Sequence, residues 1–190
     1  MPTPEKLPYT GNDEADRLLV EEPLALLIGF ELDQQVPLQK AFSGPLELQR
    51  RIGGLDAAAI AAMDPEVLDT AFRTPPALHR FPGNMARRTQ DLCQFLVERY
   101  DGQAGRVWSE AKDGAELHAR LLELPGFGPM KAGTVVAILG KQLGVTPPGW
   151  EAYAPDHMTL GDVDSAEKLA TYQAGKRAHK AEMRAQGKKV

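Results

Sequence analysis

Two glycines separated by a single residue, Gly126 and Gly128, stand directly before a strongly apolar stretch of the chain. Glycine adopts positive backbone φ angles without steric cost, and the absence of side chains leaves neighbouring amides open to a ligand. Where such a turn leads into a helix, its N–H groups and the positive end of the helix dipole favour an anion such as a phosphate. Ordinary connections between two helices also contain Gly and Pro, so this pattern alone leaves both interpretations open.

The segments on both sides of these glycines are predicted to be helices. Residues 115–124 follow Asp113, a suitable N-cap, and Glu116 stands at the position of a capping-box partner. Downstream, Gly140 and Gly144 are suited to end a second helix. Its buried stripe consists of apolar residues at helical spacing, namely Val135, Val136, Ile138, Leu139 and Leu143. The unit is therefore a helix, a glycine hairpin and a buried helix.

The hairpin sequence LPGFGPMKA resembles the helix-hairpin-helix signature, LPGhGxxTA in form, of base-excision DNA glycosylases. That superfamily (HhH-GPD) includes endonuclease III, the adenine glycosylase and the 3-methyladenine glycosylases. A second stretch, from Gly29 to Phe42, supports the resemblance. The resemblance implies an all-α, two-lobed fold with the site between the lobes. It also implies excision of a damaged or mismatched base after that base has been flipped out of the duplex.

The resemblance assigns DNA contacts to two places in the chain. Backbone amides from Gly126, Phe127 and Gly128 through Lys131 are expected to hold the sugar-phosphate backbone. Gln34 and Gln35, at a sharp turn ahead of the Pro37 helix, are expected to fill the gap that a flipped base leaves. Alternatively, one glutamine caps that helix or bonds to neighbouring backbone.

The nucleophile position departs from the bifunctional members of the family. Met130 stands where those enzymes have a lysine, and Lys131 comes one residue later, about 100° around the helix. A thioether cannot form a Schiff base, so a monofunctional enzyme that uses water is predicted and lyase activity is not. A one-residue shift of the alignment would bring Lys131 into the position instead.

The catalytic carboxylate is expected after the hairpin's second helix, and the candidates are Asp164, Asp162 and Glu151. The sequence VDS at 163–165 resembles the VDT around the catalytic aspartate of endonuclease III-like enzymes. Asp164 also suits the N-cap of a final helix, with Glu167 as its capping-box partner. An ionised carboxylate would stabilise the cationic sugar of the transition state.

Trp150 and Tyr153 are candidate stacking partners for the flipped base, since both lie in an irregular, proline-containing stretch at residues 145–161. Aromatic residues usually belong to the core, which is the alternative for both. A loop of this length inside a compact domain suggests a function.

Composition is that of an ordinary globular protein, with 43% hydrophobic and 25% charged residues and a net charge of −4. The charge is unevenly distributed. Residues 1–22 hold six acids and two bases, whereas residues 168–190 hold seven lysines and arginines and one acid. A second basic patch comprises Arg80, Arg87 and Arg88. Such asymmetry suits a protein that meets a polyanion with one face, although a solvated terminal helix has the same pattern.

Cys93 is the single cysteine, which excludes an internal disulfide and a four-cysteine iron–sulfur or zinc site from this chain alone. Endonuclease III-like relatives commonly carry such a cluster. The four histidines show no metal-ligand spacing, so neither a metal nor a cofactor is expected. No apolar run is long enough for a membrane span and no signal peptide is recognised, which predicts a cytoplasmic protein without a membrane partner.

Helical periodicity dominates the chain, and no segment shows the sustained alternation typical of strands. The predicted domains are a central lobe at 23–144, ending with the hairpin unit, and a second lobe formed from 1–22 and 145–190. The predicted function is a monofunctional DNA N-glycosylase, a monomer acting on lesion-containing double-stranded DNA. A non-catalytic helix-hairpin-helix DNA-binding protein and a helical interaction protein are the alternatives.

Overall fold

The computed structural model describes residues 2–189. These residues form ten α-helices and two short 3-10 helices, with no strand among them, which confirms the predicted all-α class. The α-helices are α1 Asp13–Glu21, α2 Pro23–Leu32, α3 Leu38–Ile52, α4 Ala57–Ala62, α5 Pro65–Arg73, α6 Pro82–Tyr100, α7 Arg106–Ser109, α8 Gly114–Glu123, α9 Pro129–Lys141 and α10 Ala166–Ala185. The 3-10 helices are Trp150–Tyr153 and Leu160–Asp162.

Local capping chemistry sets most helix starts. The side chains of Asn12, Asp56 and Asp113 accept hydrogen bonds from backbone N–H groups in the first turns of α1, α4 and α8. The Glu116 carboxylate accepts from the N–H of Lys112 at 3.2 Å, one residue before the cap at which a capping box would place it. These helix starts were therefore predictable from short sequence signals.

Helix α3 differs from what local propensity predicts, because a proline at position 45 favours a break in the helix. The structure has one helix that continues through Pro45. Proline inside a helix costs about 3 kcal/mol because it removes a backbone donor and crowds the preceding turn. Here the helix is held by its buried face, which includes Ala41, Phe42 and Leu48 and packs along α2. Packing has outweighed a local preference for a break.

The start of α10 also differs from the prediction. Ser165, and not Asp164, is the N-cap, because its hydroxyl accepts from the N–H of Lys168 at 3.2 Å. The Asp164 carboxylate instead accepts from Lys168 Nζ at 2.6 Å. The shorter hydroxyl side chain takes the capping role and the acid forms an ion pair within the first turn.

The core is one continuous cluster that extends from Leu7 near the N-terminus to Leu169 in α10. Helix α2 is buried on almost its whole circumference, as its continuous apolar sequence predicts. The two ends of the chain meet where the Tyr9 hydroxyl donates to the carbonyl of Leu160 at 2.8 Å. The predicted division into lobes at 23 and 144 remains a prediction.

Within residues 2–189, none of the helices combines the length and the apolar character that a bilayer span requires.

Candidate nucleic-acid interface

The glycine hairpin between α8 and α9 is exposed on the surface. Gly126 has a φ of 82°, and Gly128 is the N-cap of α9 with no side chain to cap its first turn. Both glycines are exposed, and the Met130 side chain beyond them is 84% exposed. In the described chain, no acceptor takes the N–H groups of Gly126, Gly128, Met130 and Lys131. The bend therefore presents free backbone donors at a helix N-terminus, which is the requirement for phosphate contact.

Phe127, the remaining member of the predicted DNA contact, points inward. Its side chain is 5% exposed and packs on Phe30 of α2, with ring centroids 6.3 Å apart. Its N–H donates to the carbonyl of Leu124 at 3.1 Å. Phe127 thus anchors the hairpin and does not offer an amide to a ligand.

Directly beneath the hairpin lies a buried acid, Glu31, at the end of α2. A methyl group at Gly126 would collide with both of its carboxylate oxygens, so only glycine permits this approach. Arg88 of α6 pairs with it, with its Nε 3.1 Å from Oε1. Burial raises the pKa of Glu31 above its ordinary value, and the positive charges of Lys131 and Arg88 offset only part of this increase. The contact with Arg88 is an ion pair and not a hydrogen bond, so neither carboxylate oxygen has a hydrogen-bond partner among residues 2–189.

Lys131 points toward these acids, in contrast to Met130. Its Nζ is buried without a hydrogen-bond partner in the described residues and lies 5.5 Å from the centre of the Phe127 ring. Burial lowers the pKa of Lys131 below its ordinary value, and the negative charges of Glu31 and Asp33 offset only part of this decrease. The amine is therefore part of the charged cluster behind the hairpin, and the thioether lies in solvent.

The turn that carries Gln34 and Gln35 lies beside this cluster, and the two glutamines differ in freedom. The Gln34 side-chain oxygen accepts from Arg88 Nη1 at 2.9 Å, and its backbone carbonyl lies 2.8 Å from His79 Nε2. His79 Nδ1 accepts from the N–H of Phe81, which leaves Nε2 as the nitrogen that donates to Gln34. Gln35 is exposed and has a φ of 56°, a conformation that is strained for a residue with a side chain. Gln34 is fixed by protein contacts, whereas Gln35 projects into solvent beside the hairpin.

A second acid, Asp33, follows α2 immediately and is half-buried. Burial raises its pKa, and Lys176, Lys131 and Lys180 lower it. Tyr172 of α10 faces it as well, and burial together with the negative charge of Asp33 raises the pKa of this phenol to about 12. Asp33 therefore lies between the hairpin and the last helix.

The predicted catalytic carboxylates are not brought to this cluster. Asp162 binds Lys141 Nζ at 2.6 Å, and Lys141 ends the 13-residue helix α9, about 18 Å from the hairpin. Its other oxygen accepts from the N–H of Thr159, and together these hydrogen bonds outweigh burial and lower its pKa. Asp164 is exposed and paired with Lys168, which lowers its pKa.

Glu151, Trp150 and Tyr153 lie on the other side of α9 from Lys131. Trp150 covers Gly140, which is nine residues beyond Lys131 and so about half a turn around the helix. Trp150 is half-buried against the core, and the Tyr153 ring lies 5.1 Å from His118. Glu151 is exposed in the same 3-10 helix. These residues pack against α8 and α9 and do not line a groove with the hairpin.

Basic residues flank the hairpin cluster in two places. Helix α10 exposes nearly all of its lysines and arginines, and Gln173 fixes it to α3 by donating to Gln39 Oε1 at 3.0 Å. At the start of α6, Arg80 stacks on the exposed ring of Phe81, with its guanidinium 5.3 Å from the ring centre. Arg88 belongs to the same stretch but is committed to Glu31 and Gln34. Lys176 and Lys180 of α10 therefore act on Asp33, and Arg88 lies beside the glutamine turn.

Sequence reasoning missed Glu31 and Asp33 as members of the site, and it identified Arg88 only as part of a basic patch. The available signal was two acids at the end of an otherwise apolar helix, because an acid within a buried helix needs a partner. Their meeting with the hairpin depends on tertiary packing that no local pattern records. No metal-binding group of three or more acidic, cysteine or histidine side chains occurs in the described part of the chain.

Comparison with known proteins gives no match to a family model, a curated protein or a solved structure.

Proposed function

We propose that this protein is a monofunctional DNA N-glycosylase with the helix-hairpin-helix glycosylase fold, which removes a damaged or mismatched base. One observation carries the proposal: an exposed glycine hairpin with free amides lies beside the acids at the end of α2 and a strained, exposed glutamine. The amides suit a phosphate, the glutamine suits the space of a flipped base, and the acid suits a cationic sugar.

The hairpin supplies the contact to the DNA backbone in this proposal. Its N–H groups at Gly126, Gly128, Met130 and Lys131, at and just before the N-terminus of α9, have no acceptor among the described residues. Such a contact holds any sequence, because a phosphate carries no base information. Sequence-independent binding is what an enzyme that searches for a rare lesion requires.

The monofunctional part of the proposal follows from the two residues after Pro129. Met130 has no nucleophilic atom, and the Nζ of Lys131 is buried behind the hairpin and faces Glu31. A nucleophile must reach the sugar carbon to form a Schiff base. Borohydride should therefore trap no covalent adduct, and an adduct that disappears in Lys131→Ala would overturn this part.

A non-catalytic helix-hairpin-helix DNA-binding protein is the second candidate. It is favoured by the placement of Asp162 and Asp164, which form ion pairs with lysines away from the hairpin. In that case the hairpin would bind duplex DNA without subsequent chemistry.

Two measurements separate these functions. Duplex binding with a steep dependence on salt is expected of both, since phosphate contacts release counterions, and its absence would overturn both. Base release from duplexes carrying alkylated, oxidised, deaminated or mismatched bases is expected only of the glycosylase. Binding without release from any of these substrates would favour the binding protein.

A further inference from the structure

Asp33 lies at the end of α2, close to the hairpin and the glutamine turn. Two residues before it, Glu31 lies under Gly126 of the hairpin, and one residue after it Gln34 binds Arg88. The charges of Lys131 in α9 and of Lys176 and Lys180 in α10 act on Asp33, and the charge of Asp33 acts on Tyr172 of α10. The carboxylate thus lies at the junction of the glutamine turn, the hairpin helix and the basic last helix.

The carboxylate of Asp33 is not committed to a structural role. It takes part in no ion pair and no side-chain hydrogen bond with the residues that the structure describes. Half-buried acids usually have such partners, because an unpaired charge that loses water is costly. The three lysines act on it only through space, so its oxygens remain available to a ligand.

Glu31, the other acid of the cluster, cannot take the same part. Its side chain is 1% exposed, it lies under Gly126, and it is paired with Arg88. No DNA atom can approach it without displacing the hairpin. Of these two acids, Asp33 is therefore the one that solvent reaches.

We propose that Asp33 is the catalytic carboxylate of this protein, in place of the acids that follow α9 in the sequence. The proposal rests on the glycosylase function proposed above and adds the residue that contacts the sugar. Its basis is position: a half-exposed, unpaired acid next to the phosphate-binding hairpin and one residue before the glutamine turn.

The reaction at this residue balances without a cofactor. The C1′–N bond of the flipped nucleotide breaks, and its electron pair leaves with the base. The Asp33 carboxylate lies against the resulting positive charge of the sugar ring. A water oxygen then bonds to C1′, its proton passes to Asp33 and on to solvent or the departing base, and an abasic site remains. Burial raises the pKa of Asp33 above its ordinary value, which makes it a better proton acceptor.

The test uses the full-length protein and two duplexes that differ only at one abasic position. One carries a pyrrolidine analogue, which is protonated and mimics the cationic sugar, and the other carries the uncharged tetrahydrofuran analogue. The wild type should bind the charged analogue more tightly, by about tenfold or more. Asp33→Asn should remove this preference while keeping affinity for the uncharged duplex.

Competing acids and a control are measured in the same way. Asp162→Asn, Asp164→Asn and Glu151→Gln should keep the preference, as should Asp13→Asn, an exposed acid in the first turn of α1. Unfolding midpoints of all variants establish that each is folded. With a duplex from which the wild type releases a base, Asp33→Asn should slow the single-turnover rate of that release by about 100-fold or more.

The pH dependence distinguishes direct contact from a structural role. Asp33 carries its charge above its pKa, so the wild-type preference should weaken as the pH falls through that value and should not do so in Asp33→Asn. The groups from other elements that interact with the charge of Asp33 are Lys131, Lys176, Lys180 and Tyr172, none of which is a carboxylic acid or a histidine. A preference retained in Asp33→Asn, or absent from the wild type, would overturn the assignment of Asp33. If a variant of a competing acid lost the preference for the charged analogue instead, the glycosylase function would remain but that other acid would be the catalytic one. If the wild type showed neither this preference nor base release, the glycosylase function would be overturned as well.

Discussion

At the scale of single residues, the contact between Gly126 and Glu31 decides the position of the hairpin. The glycine has a positive φ, and its Cα lies against a carboxylate that has almost no exposure. Positive φ and lack of space each favour glycine here, and they are independent reasons. The hairpin thus packs on the Glu31 carboxylate with one face, and Gly126 and Gly128 remain exposed to solvent.

Gly126→Ala is therefore expected to lower the free energy of unfolding by about 1–3 kcal/mol, because the new methyl group meets both strain and the buried carboxylate. Gly128→Ala is the matched control. Gly128 has a φ of −93° and open space around its Cα, so its change should stay within about 0.5 kcal/mol. Urea denaturation of the two variants measures the difference, and equal losses would contradict the described geometry.

Glu31 predicts an unusual dependence of stability on pH. Its folded-state pKa is raised above the ordinary 4.5, so between these two values the folded protein binds more protons than the unfolded chain. The contribution of Glu31 is therefore fully present below pH 4.5 and is lost as the pH rises through the folded pKa. Compared with Glu31→Gln, the wild type should lose stability as the pH is raised across this range.

Glu116 provides a control of opposite sign. Hydrogen bonds from Arg120 and from the N–H of Lys112 lower the pKa of Glu116. Its contribution is present above its ordinary value and is lost as the pH falls through the folded pKa. The stability difference between the wild type and Glu116→Gln should thus shrink on acidification, and chemical denaturation at a series of pH values checks both slopes.

At the scale of elements, helix starts that depend on local hydrogen bonds could be predicted from the sequence, whereas features that depend on tertiary packing could not. The caps at Asn12, Asp56 and Asp113 follow from short-range hydrogen bonding, and the one at Asp113 was predicted from the sequence. The continuation of α3 through Pro45 was not, because it depends on burial against α2. Local chemistry sets where helices begin, and packing decides whether a break in propensity is tolerated.

The same distinction holds for the candidate site. The glycine hairpin and the two glutamines have recognisable sequences, and the structure places them on either side of Glu31 and Arg88. Asp33 has no sequence signature, since its significance arises from Lys131 and from α10, which is more than 130 residues away along the chain. Side chains that meet only through tertiary structure cannot be read from spacing.

Helix α10 supplies the prediction that belongs to this scale. Lys176 and Lys180 extend the positive surface beside the hairpin, so Lys176→Ala with Lys180→Ala should weaken duplex binding. If both contact phosphates, the slope of log affinity against log salt should fall by about 1.8 in magnitude. Lys112→Ala, which precedes the far end of α8, should leave the slope unchanged. Anisotropy titrations at several salt concentrations measure all three, and an unchanged slope in the double variant would remove α10 from the interface.

At the scale of the whole molecule, the continuous core predicts a single folding unit. One cluster of buried side chains joins Leu7, α2, α9 and Leu169, and Tyr9 bonds to Leu160 across the chain ends. Domains that share a core unfold together. Far-UV circular dichroism should therefore give the same urea midpoint as the fluorescence of Trp108 and Trp150, both of which lie near α8. Separate midpoints would indicate that the lobes unfold independently.

The imidazole of His79 joins the glutamine turn to the start of α6, and its bond with α6 depends on a single proton. One ring nitrogen donates to Gln34 and the other accepts from Phe81, so only the neutral ring satisfies both neighbours. Burial lowers the pKa of His79, which keeps the ring neutral until the medium becomes acidic. Strong acidification would protonate Nδ1 and break its hydrogen bond with the N–H of Phe81, while Nε2 would still donate to Gln34. The start of α6, beside the surface that is proposed to receive an extruded nucleotide, would therefore loosen before the hydrophobic interior does.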